Sequence, residues 1–287
     1  MTPNDHIHRS WTLTRIPYCV RDPGPYEDHH PASAAPESRI VGGTPTSIEE
    51  FPYIVALTYT YTGPGITVQR CVGCLVSSWH VLTSGFCYTG AINENMKVRA
   101  GSTTSLTGGT LVGLGQVIKH PDYTEIPRKG DLAVTFLETP LSLSNVINVL
   151  FLPPQGAFLP DGQNVKIVSW GFEYEGGPQL EILKTIILNK INTNDCATLF
   201  AGNNNVEISD NVICASAPSR GMCAGDSGAP MVVDQVVTGI SSFYETCGSD
   251  DYPNVFTRID RYTDWILGVA TAPSSDAVGV RSVPVRL

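Results

Sequence analysis

Charge is scarce in this chain. Only 16% of its 287 residues are Asp, Glu, Lys or Arg, and 18 basic residues stand against 27 acidic ones, giving a net charge of −9. A phosphate backbone selects basic faces, so nucleic acid is excluded as a partner class. No uninterrupted apolar run approaches the roughly 18 residues of a spanning helix, so no membrane contact is expected. The single CxxC, Cys71-Val72-Gly73-Cys74, has no second pair and no histidine at zinc-finger spacing. That argues against a zinc site, which needs four ligands or three and a water. No Asn-x-Ser/Thr sequon occurs. Residues 1–39 also lack the positive start and the following about 7–15 apolar residues of a secretory signal. The stretch from Trp11 to Val20 is broken by Arg15 and by threonines. Either the true start lies upstream, or export takes another route.

What is present points to a folded, β-rich protein. Apolar residues make up 42%, too many for disorder, and the length suffices for a sizeable core. The 27 Gly and 21 Pro favour many short strands and turns over helical bundles. Eight scattered cysteines fit a disulfide framework formed in an oxidising, extracellular compartment. Residues 1–39 hold six prolines and four of the six histidines (His6, His8, His29, His30). They read as an unstructured leader with solvated histidines rather than a metal site. From Ile40, β-type runs recur: Tyr53–Tyr59, Gly73–Thr83, Met96–Ala100, Thr110–Lys119, Leu132–Leu137, Asn164–Ser169, Ile182–Leu188, Pro230–Val233 and Val236–Ser241. Ile259, Tyr262, Trp265, Ile266 and Val269 recur instead at helical spacing. Residues 273–287 read as a loose tail, and no internal repeat is visible.

Four islands stand in a telling order: Arg39-Ile40-Val41-Gly42-Gly43, Cys71 to Val76 with Val81 to Cys87, Asp131-Leu132-Ala133-Val134, and Cys223-Ala224-Gly225-Asp226-Ser227-Gly228-Ala229-Pro230. Together they resemble the trypsin/chymotrypsin family (S1) of serine proteases over about Ile40 to Ala270. The resemblance implies an all-β fold of two six-stranded antiparallel β-barrels, chymotrypsin-like, with a C-terminal helix. It frames residues 40–272 as the protease domain, with the joint between barrels near residues 145–160. It implies activation by cleavage between Arg39 and Ile40, the freed Ile40 amine pairing with Asp226. It further implies an oxyanion hole from the N–H groups of Gly225 and Ser227, and disulfides Cys71–Cys87, Cys196–Cys214 and Cys223–Cys247. Cys19 could tether the pro-segment, but no cysteine stands at the usual partner position. Cys74 reads as a buried free thiol. No cofactor and no metal are implied. Calcium is disfavoured because residues 96–121 contain no carboxylate.

The pattern breaks at the base. Ser227 and Asp131 match nucleophile and orienting aspartate, but Phe86 falls, without a gap, where the histidine should be. A ring without a basic nitrogen cannot take the serine proton, and Asp131 loses its usual hydrogen-bond partner. Within the domain only His80 and His120 could substitute, and neither is placed for it. The specificity pocket is altered as well. Gly221 stands where trypsins carry aspartate, while Tyr244 and Asn254 replace the two wall glycines. The Tyr244 ring either fills the pocket mouth or turns outward. The reading is a proteolytically inactive, monomeric, secreted homologue that acts by binding a protein or peptide, such as an active protease or inhibitor, in a regulated protease cascade. The alternative is an active endopeptidase in which Ser227 works with an unusual base on neutral or apolar residues. A drifting paralogue without a selected role is the third possibility.

Overall fold

Runs rich in Val, Ile and Thr, separated by Gly- and Ser-containing turns, fold as strands wherever alternate side chains reach a core. The computed structural model describes residues 41–271. The leader, the Arg39–Ile40 bond, Cys19, the four leader histidines and the tail lie outside the described residues. Seven strands come first: β1 (Thr44–Pro45), β2 (Ile54–Tyr61), β3 (Ile66–Leu75), β4 (His80–Thr83), β5 (Met96–Ala100), β6 (Thr110–Lys119) and β7 (Ala133–Leu137). The second half carries β8 (Asn164–Ser169), β9 (Lys184–Lys190), α1 (Thr193–Leu199), β10 (Val212–Ser216), β11 (Pro230–Val233), β12 (Val236–Phe243), β13 (Asn254–Arg258) and α2 (Thr263–Val269).

Two closed antiparallel barrels result. The first runs β2-β3-β4-β7-β6-β5 and back to β2. The second runs β8-β9-β10-β13-β12-β11 and closes on β8, with β1 added alongside β9. Closure removes every free strand edge from each barrel. The 26 or so residues between β7 and β8 carry the chain across, around the expected joint.

The two barrels share a core. Val72, Cys74, Leu82, Leu132 and Val134 of the first pack in one buried cluster with Trp170, Met231, Ile240 and Phe256 of the second. Fully burying one such aliphatic side chain contributes about 1.5–3 kcal/mol, so the seam is a major stabilising surface. Cys74 sits in it as a free thiol, its pKa pushed far up by burial. Cys71–Cys87, Cys196–Cys214 and Cys223–Cys247 are disulfide-bonded.

Some elements differ from the sequence expectation for local reasons. Gly73–Thr83 is two strands, because Ser77 accepts from the Trp79 N–H at 3.0 Å and turns the chain back on itself. The apolar stripe near the C-terminus divides between a 3₁₀ turn, Ile259–Arg261, and α2. Three further elements, α1, β10 and β13, had no clear signature. Helix α1 is short but capped, Asn192 accepting from the Asn194 N–H at 2.9 Å, and is fastened by the Cys196 disulfide.

Candidate active site

Asp131 lies two residues before β7, 1% exposed, at the seam of the barrels. One carboxylate oxygen accepts from Ser84 Oγ at 2.7 Å and from the Phe86 N–H at 2.8 Å. The other accepts from Ser242 Oγ at 2.7 Å, and Arg128 Nη1 stands 3.4 Å from it. Its backbone carbonyl accepts from Thr257 Oγ1 at 2.8 Å. The loss of a partner expected from the missing imidazole is therefore made good by a cation. The Arg128 guanidinium carbon sits 4.0 Å from the centre of the Phe86 ring, in cation–π geometry. Phe86 is held there by the 3₁₀ turn Gly85–Tyr88, whose cap Ser84 accepts its N–H at 3.1 Å. Arg128 in turn is fixed through its backbone, its N–H donating to Asn205 O at 2.7 Å and its carbonyl accepting from Glu207 N at 3.1 Å. Arg128 also reaches Ser242 O at 3.5 Å.

The nucleophile loop is ordered independently of that cluster. Asp226, fully buried, accepts from the N–H groups of Gly171 at 2.9 Å and Cys223 at 2.8 Å. Burial pushes its carboxyl pKa up to about 6, and among the described residues it has no ion pair. The Ala224 carbonyl accepts from Phe172 N at 2.8 Å, and the Gly225 carbonyl from Gln69 Nε2 at 2.8 Å. Gly228, at φ +86°, presses so closely on Val72 O and Thr83 Oγ1 that any Cβ would collide with both. Ser227 is half-buried, its carbonyl accepting from Val72 N at 2.9 Å. Among the described residues, its Oγ, its N–H and the Gly225 N–H have no hydrogen-bond partner.

Of the residues expected to shape the specificity pocket, Asn254 and Gly221 lie against each other. Asn254, 2% exposed, lays its amide across Gly221: a Cβ there would come within 2.9 Å of both amide atoms. The amide is locked, accepting from Met222 N at 2.8 Å and donating to Ala215 O at 3.3 Å. Tyr244 packs against the core rather than turning out. Burial raises its pKa, and the charges of Asp226 and Glu175 push it the same way.

Neither domain histidine joins the cluster. His80 is fully buried in β4, its Nδ1 2.6 Å from Ser77 Oγ and its ring edge-on to Phe136. Burial lowers its pKa from 6.5 to about 4. His120 is wedged edge-on against Tyr262 and Trp265, its Nδ1 accepting from Asp122 N at 3.1 Å.

Residues 40–266 match the Trypsin family model. The chain belongs to the trypsin family. Among similar proteins is a trypsin, alkaline C, of Manduca sexta, 32% identical over 82% of this chain and 92% of its own length. A trypsin 5G1 of Aedes aegypti is 30% identical over 81% and 85% of the two chains. The vitellin-degrading protease of Bombyx mori is 29% identical over 82% and 87%. In this member of the trypsin family, Arg128, Ser84, Gln69 and Phe172 matter to the site and were not anticipated from sequence. Only Arg128 left a trace, a cation three residues before a carboxylate.

Two outcomes follow from these contacts. Phe86→His alone should yield little esterase activity, because Arg128 already holds Asp131. Phe86→His with Arg128→Leu should exceed it at least about tenfold, a small part of the 10²–10⁴ a positioned base contributes. Equal activity of the two variants in a nitrophenyl ester assay would contradict the arrangement. Secondly, His80 stays neutral in the fold where the unfolded chain would take a proton. It contributes stability that is fully present above pH 6.5 and is lost as pH falls toward 4. An NMR titration should find its midpoint near 4, and a midpoint near 6.5 would refute the burial argument.

Proposed function

We propose that this chain is a proteolytically silent member of its family that works by binding a protein or peptide. The carrying observation is that the place of the base holds the Phe86 ring, with Arg128 stacked on it and bonded to Asp131. Serine attacks a carbonyl only as its proton leaves, and no group among the described residues stands ready to take it. Loss of the base costs on the order of 10⁶-fold in turnover in a serine protease. Asn254 adds a second obstacle, since its locked amide lies against Gly221, where the resemblance puts the base of the pocket.

Secretion is supported by the three disulfides, which persist in oxidising compartments. A zymogen-like activation after Arg39 is supported by Asp226, a buried carboxylate that an incoming ammonium would neutralise. No helix among the described residues is long and apolar enough to cross a membrane. An active protease or its inhibitor is the kind of partner that a substrate-like cleft on this fold would meet.

The test is covalent. A fluorophosphonate probe incubated with the chain cleaved after Arg39 should leave Ser227 unmodified by intact mass, as in the Ser227→Ala control. An adduct mapped to Ser227 would revive the alternative, an active endopeptidase with an unorthodox base.

A further inference from the structure

We propose that Tyr174 is a site of tyrosine O-sulfation, a reading that rests on the secretion proposed above. Three tyrosines stand exposed among the described residues: Tyr61 at 48%, Tyr174 at 56% and Tyr252 at 37%. Of these, Tyr174 alone combines the most exposed ring with a carboxylate on each side, in Glu173-Tyr174-Glu175. No Lys or Arg lies within five residues of it in either direction. Tyr61 stands between threonines. Tyr252 follows Asp250 and Asp251, but its ring leans on the buried Phe200, the centroids 5.4 Å apart, and its loop is tied through Cys247 to Cys223. The backbone around Tyr174 makes a short loop. Phe172 and Gln179 pair as an isolated bridge and close its base, with six residues between them. The Tyr174 carbonyl accepts from Gly177 N at 2.9 Å, and Tyr174, Glu175 and Gly176 are exposed in succession. Gly176, at φ +72°, has open space where a Cβ would stand, whereas a Cβ on Gly177 would come within 3.0 Å of the Tyr174 ring. One glycine supplies the left-handed backbone of the turn and the other leaves room for the ring.

The choice of group follows from charge. A sulfotransferase must hold a nucleotide phosphosulfate, a polyanion, and so lines its cleft with cations. Such a cleft attracts an acceptor flanked by carboxylates and repels one flanked by Lys or Arg. In the transfer the phenol oxygen attacks the sulfur of the phosphosulfate and a new O–S bond forms. The S–O bond to the phosphate breaks, and the nucleotide leaves with the electron pair. The phenol proton passes to a base of the transferase. The product is a sulfate ester, a lasting negative charge set between Glu173 and Glu175 on a loop whose base is fastened by Phe172 N to Ala224 O at 2.8 Å.

Incubation of the full chain with a tyrosylprotein sulfotransferase and phosphoadenylyl sulfate tests this. The chain should gain one SO₃ group, mapped to Tyr174 by tandem mass spectrometry. Tyr174→Phe should abolish the gain, while Tyr61→Phe and Tyr252→Phe leave it unchanged. Glu173→Gln with Glu175→Gln should slow the transfer about tenfold, the scale of one charged hydrogen bond. A melting temperature equal to that of the parent chain shows that the fold of this variant is intact. No gain, a gain at Tyr61 or Tyr252 in place of Tyr174, or a rate indifferent to the two glutamines would overturn the proposal. Expression of the chain behind a signal peptide, in animal cells that sulfate their own secreted proteins, reads secretion separately. Absence from the medium would overturn the secretion reading itself. Chain in the medium with Tyr174 unmodified, or phosphorylated in place of sulfated, would overturn the sulfation site alone.

Discussion

A carboxylate buried between two barrels must find donors and a countercharge, or the fold cannot afford it. Asp131 meets that demand through both halves of the molecule. Ser84 and the Phe86 N–H come from the first barrel, while Ser242 and Thr257 come from the second. Arg128 supplies the charge. The same contacts that satisfy Asp131 therefore tie the two barrels together.

Replacing imidazole by phenylalanine need not disturb this framework, because the two tasks of the site are separable. The ring keeps the volume, and the guanidinium above it keeps Asp131 compensated. The nucleophile loop is ordered by backbone bonds to Gly171, Phe172 and Val72 and by the Cys223–Cys247 disulfide, none of which involves the base. On the proposed reading proton transfer is lost, while the backbone contacts that order the loop around Ser227 are kept. Asn254, its amide locked against Gly221, narrows the space beside that residue.

The sequence made the fold legible through its islands more than through its periodicity. Strands β5, β6, β8 and β11 have the same bounds as the β-type runs of the sequence. The strands β10 and β13, each short and almost continuously buried, carry no alternating pattern and were not picked out. At the site, the absence of the histidine, the altered pocket positions and the nucleophile loop could be read from the family resemblance. The role of Arg128 could not, because its approach to Phe86 depends on its backbone being pinned to residues 205–207, nearly eighty positions away in the chain. The packing of Tyr244 against the core was likewise left open by the sequence.

The direct measurement is a double-mutant cycle on stability with Arg128→Gln, Asp131→Asn and the pair, followed by urea unfolding. If Arg128 is the countercharge of Asp131, each single change is costly, the double change costs less than their sum, and the coupling is about 1–3 kcal/mol. Additive effects, with coupling indistinguishable from zero, would mean that Arg128 does not replace the imidazole and that the account of this site is wrong.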